Sequence, residues 1–201
     1  MAEEQPVLQT ERLTLRRFQL TDVDDVLEFA NDEEWQRYLP PLPYPYERVH
    51  GEEFVAKSFL RDWKSKPAFA VVLDNAVIGE INLRIDKRRR NAEMGYAIAR
   101  EHWGNGYATE MARAIIDWAF EAFCLAKIHA VAIVDNKRSW RVMERIGMTR
   151  EGVLRSEVPG RDSDQRHDMV YYGILREEWE RQEAPPLCIS PPSNGGETTE
   201  L

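Results

Sequence analysis

One short segment, Trp103-Gly104-Asn105-Gly106-Tyr107, constrains the fold more than any other feature because of what flanks it. Upstream, 92–99 (AEMGYAIA) reads as a strand. Downstream, from about Thr109 to Phe123, the residues Met111, Ile115, Trp118 and Ala119, with Phe123 on the flank, recur at nearly helical spacing. The chain must therefore pass from strand to helix through a tight turn. Two glycines allow the sharp turn and a close backbone approach. The N–H groups that open a helix have no partners within it, and the positive end of the helix dipole adds to them, so such a turn is a natural phosphate site. An ordinary strand-to-helix turn fits the same residues. The Lys-Ser/Thr of a P-loop is absent, as are the third glycine and strand-end acid of a dinucleotide fingerprint.

The remaining periodicities predict strands at 11–17, 68–73, 76–85, 127–134, 148–157 and 167–175. Thr21 is expected to cap a first helix. A second is expected over 47–64, with Phe54, Val55, Phe59 and Trp63 inward. A third, over about 137–146, places Ser139, Val142, Met143 and Ile146 on one stripe, and Gly147 suits its C-terminal end. The Pro-rich stretch 40–45 cannot be helical. The order β-α-α-β-β-β-α-β-α-β-β is α+β, with a mostly antiparallel sheet and helices on both faces. Residues 8–182 form the expected domain. Residues 183–201, rich in Pro, Ser, Gly and Glu, are expected to be a disordered tail.

The formal net charge of −8 argues against nucleic acid as a partner. The basic run Lys87-Arg88-Arg89-Arg90 reads as a solvated hairpin turn. No segment approaches the ~20 apolar residues that span a bilayer, and the acidic N-terminus does not resemble a signal peptide. Cys124 and Cys188 form no disulfide framework, and the four histidines show no metal-ligand spacing. These features predict a cytoplasmic chain with no metal and no membrane partner.

Longer blocks carry a resemblance. Glu93-Met94-Gly95-Tyr96-Ala97-Ile98, followed by His102-Trp103-Gly104-Asn105-Gly106-Tyr107-Ala108-Thr109-Glu110, resembles the acetyl-CoA motif of the GNAT N-acetyltransferases. The block from Asn136 through Ser139 and Gly147 to Gly152 does so too. Thr10 to Arg16 and Leu175 to Trp179 resemble the branch that acetylates ribosomal-protein N-terminal alanine and serine. Together the blocks span roughly residues 8–180. Gly106 and Ala108 match the superfamily loop, whereas Trp103 replaces its usual Gln or Arg.

The resemblance implies a GNAT-like, six- to seven-stranded sheet splayed at its central strands. It implies that Tyr96, Ala97 and Ile98 pair with the pantetheine arm of acetyl-CoA. Backbone groups of Trp103, Gly104, Asn105, Gly106, Tyr107, Ala108 and Thr109 would hold the pyrophosphate. Asn136 and Ser139 would lie near the thioester, with Ser139 as proton donor to the thiolate. Both also fit a plain helix cap. The amine must lose a proton before or during attack, and Glu93 or Glu157 would serve as base, directly or through water. The acceptor implied is a primary amine, on a protein N-terminus or a small molecule, flanked by the loops 40–46 and 158–166. A sensor that binds acyl-CoA without turnover and a nucleotide-dependent phosphoryl transferase are the alternatives. Monomer and homodimer both fit the sequence.

Overall fold

Strand β4 (Ala76–Asp86) and strand β5 (Asn91–Ile98) form the centre of the sheet, joined by the exposed turn 87–90 that the basic run predicts. The computed structural model describes residues 5–39, 42–160 and 165–183. Before this hairpin come β1 (Leu8–Gln9), β2 (Thr14–Arg16), α1 (Val23–Ala30), α2 (Glu33–Gln36), α3 (Arg48–Leu60) and β3 (Ala68–Leu73). After it come α4 (Tyr107–Ala122), β6 (Lys127–Ile133), α5 (Lys137–Arg145), β7 (Thr149–Pro159), β8 (Arg166–Leu175) and α6 (Arg176–Glu183). The sheet has eight strands in the order β1-β2-β3-β4-β5-β6-β8-β7.

Every pairing is antiparallel except β5–β6, which α4 joins by a crossover. That parallel pairing runs only from Asn91↔Lys127 to Met94↔Ala130. Beyond Met94 the two strands follow different neighbours. β5 stays with β4 as far as Gly79↔Ile98, and β6 stays with β8 as far as Ile133↔Met169. The sheet opens at its centre into a wedge.

Strand alternation sends side chains to two cores. Leu15, Phe69, Ile81, Leu83, Met94 and Ile128 pack with Met111 and Ile115 of α4 and with Met143 of α5. On the other face Ala70 and Val77 pack with Val26 and Phe29 of α1 and Val55 of α3. Helices thus cover both faces, as the element order predicts.

Four local expectations are corrected. The single N-terminal strand is divided, giving eight strands rather than seven, because Thr10 N bonds Leu13 O at 2.9 Å and turns the chain between β1 and β2. Thr21 does not cap α1. It lies in a 3-10 turn (Leu20–Asp22), and the buried Asp22 takes two 2.8 Å bonds from Arg16 and one from the Gln19 N–H. α3 stops at Leu60 because Arg61 turns extended, which leaves Phe59 and Trp63 half-buried. Finally, α6 was not expected. Its start is held by Glu178, which accepts from Leu175 N at 2.8 Å, and Trp179 stacks on Phe120 with centroids 5.2 Å apart.

Among the described residues no helix is long and apolar enough to cross a membrane, and no group of three acidic, His or Cys side chains could hold a metal. Cys124 is free and exposed. Pro40, Pro41, the hairpin residues Arg161 to Asp164, Cys188 and all of the expected tail after Glu183 lie outside the described residues.

Candidate active site

The wedge between β5 and β6 opens into a cleft. Its walls are Tyr96, Ala97 and Ile98 of β5, the loop residues Trp103, Gly104 and Gly106, and Tyr107, Ala108 and Thr109 of α4. Asn136, Ser139, Arg138, Arg141 and Arg145 close it from the side of α5, and Trp35, Tyr38 and Leu39 from the side of α2.

The loop is built by its glycines. Gly104 and Gly106 have φ of +82° and +85°, a region that L side chains avoid. Gly106 is the residue that precedes α4, and its carbonyl accepts from Thr109 and Glu110 at 3.0 and 3.1 Å. The N–H groups of Tyr107 and Ala108 are thus left at the helix start without a helical acceptor. The Asn105 side chain turns back to donate to the carbonyls of His102 and Trp103, and Asn105 is not among the residues lining the cleft. Trp103 does line it, but its indole N–H is spent on Ile98 O at 2.7 Å. Arg138 stacks on the Trp103 ring at 4.6 Å, which brings a guanidinium to the place where Trp103 leaves no donor.

A clamp from the N-terminus anchors this loop. Glu110 accepts from Thr10 Oγ1 at 2.6 Å, Arg12 N at 2.8 Å and Arg12 Nε at 2.7 Å. Arg12 also donates to Asn105 O at 3.0 Å and covers the Tyr107 ring. Burial pushes the Glu110 carboxyl up, yet these bonds and the Arg12 charge outweigh it, and the net direction is down. A depressed carboxylate stabilises the fold above its unfolded value, and that contribution is lost as pH falls through the folded value. Glu110→Gln is therefore expected to lose about 1–2 kcal/mol at neutral pH. In urea unfolding, the gap between variant and wild type should narrow on acidification.

Tyr96 and Ser139 meet although 43 residues separate them: the phenol donates to Ser139 O at 2.8 Å and lies 3.2 Å from its Oγ. Burial, first, pushes the Tyr96 phenol up, with Ser139 opposing weakly, so it stays a donor. Asn136 caps α5 by accepting from Ser139 N at 3.3 Å, the plain role its residue type suggests. Tyr96 thus fixes Ser139 from below and Asn136 fixes its backbone.

The two expected bases do not line the cleft. Glu93 stands at the foot of the wedge, 3.3 Å from Arg84 and 3.9 Å from His129. Glu157 is exposed on β7, with its carbonyl bonded by Arg166. Sequence reasoning missed the basic face of α5. Its signal was present in the spacing of Arg138, Arg141 and Arg145, three and seven residues apart.

A family model described as an acetyltransferase (GNAT) domain matches residues 12–149. The uncharacterized N-acetyltransferase YnaD of Bacillus subtilis is 34% identical over 174 residues, covering 85% of this chain and 97% of YnaD. Among solved structures, a GNAT-family acetyltransferase from Bacillus anthracis superposes with a TM-score of 0.76 at 29% identity, over 86% of this chain and 99% of that one. The ribosomal L7/L12 alpha-N-protein acetyltransferase RimL, solved with coenzyme A, shares the fold with a TM-score of 0.75 at 17% identity, over 85% of this chain and 98% of that one.

Proposed function

Because the chain belongs to the GNAT acetyltransferase family and so transfers acetyl from acetyl-CoA to an amine, we propose that the wedge between β5 and β6 is where the donor binds. The observation that carries this reading is the parting of two parallel strands beside a helix start cleared by two glycines. Backbone groups of Tyr96, Ala97 and Ile98 extend the ladder to the amides of the pantetheine arm. The N–H groups of Tyr107 and Ala108 receive the pyrophosphate, and Arg138, Arg141 and Arg145 offset its charge.

Transfer is by direct attack, with the two substrates held together in one cleft. The amine nitrogen bonds to the acetyl carbon, and the carbon–sulfur bond then breaks. Ser139 Oγ, oriented by Tyr96, donates a proton to the departing sulfur. A thiol with an ordinary value of about 8.5 leaves readily, so this donor contributes modestly. Ser139→Ala is expected to lower kcat about tenfold, below the usual hundredfold or more of general-acid effects, with KM for acetyl-CoA unchanged.

The acceptor is a primary amine, on a protein N-terminus or a small molecule. The resemblance to the ribosomal-protein branch supports the former. A cytoplasmic location is supported by the acetyl-CoA requirement and by the exposed free thiol of Cys124. Calorimetric titration with acetyl-CoA, with ATP and NAD as controls, tests the donor site. Selective binding of acetyl-CoA is expected. Absence of that binding would refute it.

A further inference from the structure

We propose that Glu80 of β4, which stands behind the cleft-lining Ala97 and does not itself line the cleft, accepts the proton of the incoming amine through water. The proposal rests on the donor site described above. Directly paired residues of neighbouring strands share a face. The register Glu80↔Ala97, Asn82↔Gly95, Arg84↔Glu93 therefore sets a row of polar side chains on the face that α1 and α3 cover. Two members of the row have evident structural roles. Asn82 lies over Gly95, its Oδ1 only 3.4 Å from where a Cβ would be, and Arg84 pairs with Glu93.

Glu80 has no such role. Its Oε2 is buried and has no hydrogen-bond partner among the described residues. One unpaired oxygen on a buried carboxyl is costly, and here the cost falls beside Ala97, which lines the cleft. Burial pushes the Glu80 carboxyl up, and Arg61 at the end of α3 and Asn82 on β4 oppose this. Its other cross-strand neighbour, Ala70, is uncharged. The remaining titratable group that feels it is Tyr46, whose phenol is raised by burial and by the Glu80 and Glu53 charges. A carboxylate raised toward neutrality is a better general base than one held by an arginine, as Glu93 is.

An ammonium acceptor loses two protons as it becomes an amide. The first passes to Glu80 and on to solvent when turnover ends. The second offsets the proton that Ser139 gives to the coenzyme A sulfur. Glu80 must be ionised to act, so activity rises with pH through its value and is lost below it.

The test compares wild type, Glu80→Gln and Glu93→Gln across pH, with an alanine-initiated peptide and spermidine as acceptors. Glu80→Gln is expected to bind acetyl-CoA as wild type does. Its kcat should fall about a hundredfold, and it should lose an acidic limb that in wild type lies above the ordinary carboxylate range. Glu93→Gln should keep that limb. Infrared difference titration of the acetyl-CoA complex reads the same group without turnover, and the raised carboxyl band should vanish in Glu80→Gln. An unchanged rate and limb in Glu80→Gln, or no raised band in wild type, overturns the assignment. Failure of wild type to bind acetyl-CoA would instead strike the donor site on which the assignment rests.

Discussion

Gly79→Ala is expected to cost about 3 kcal/mol of stability, the upper end of overpacking penalties, and to weaken acetyl-CoA binding at least about tenfold. A Cβ at Gly79 would lie 2.2 Å from Ala97 O and 3.0 Å from Ile98 Cα. The first two obstacles are backbone, so no rotamer change relieves them. β4 is held on its other edge by β3, where Val71↔Gly79 is itself a paired position. The end of β5 is therefore the part that yields, and this is the part proposed to pair with the donor. For a domain of this size the melting temperature should drop by roughly 6–12 °C. Thermal unfolding and calorimetry read the two effects separately. Wild-type values for both would mean that the close approach of β4 to β5 is not required.

Gly106→Val should abolish measurable acetyl-CoA binding, with a loss of about a thousandfold. A β-branched residue at φ +85° is strained by about 1–3 kcal/mol. Its Cβ would also stand 3.4 Å from Arg12 Nη2, in the clamp that holds the loop. Turning the loop misdirects N–H groups whose bonds to a charged phosphate are worth about 1.5–3 kcal/mol each. Loss of the two bonds from Tyr107 and Ala108 reaches about 4 kcal/mol, which is the thousandfold stated. Gly104→Ala is the control. Its φ is +82°, but a Cβ there meets nothing within 4 Å, so only the left-handed penalty of about 1–2 kcal/mol applies. If Gly106→Val bound acetyl-CoA like wild type, the phosphate site would have to lie elsewhere.

What was legible in the sequence follows from the range of each interaction. Alternation and helical spacing depend on near neighbours, so the strands at 68–73, 76–85 and 167–175 and the helix after Gly106 were readable. The φ > 0 positions at Gly106 and Gly147 were readable for the same reason. Glu80 was not, because its meaning depends on which residue of β5 stands opposite. Register is a property of two strands and their turn, not of one. The contact of Tyr96 with Ser139 crosses from strand to helix and leaves no local trace. Thr21 misled in the opposite way: a hydroxyl just before a helical run suggests a cap, and the structure places it inside a 3-10 turn. The α6 helix was legible in principle, through Glu177 and Glu178 in its first turn ahead of Trp179.

The short β5–β6 ladder has a thermodynamic consequence. Four residue pairs join the two halves of the sheet there, and the donor's own amides would supply the pairing that the protein withholds beyond Met94. A ligand that completes a sheet binds the folded chain alone. At a hundred times its dissociation constant such a ligand adds about 2.7 kcal/mol to folding stability. Amide exchange at Tyr96 to Ile98 should slow accordingly, and the population of unfolded chains should follow the supply of acetyl-CoA. The enzyme's lifetime and its fuel are then read from one equilibrium.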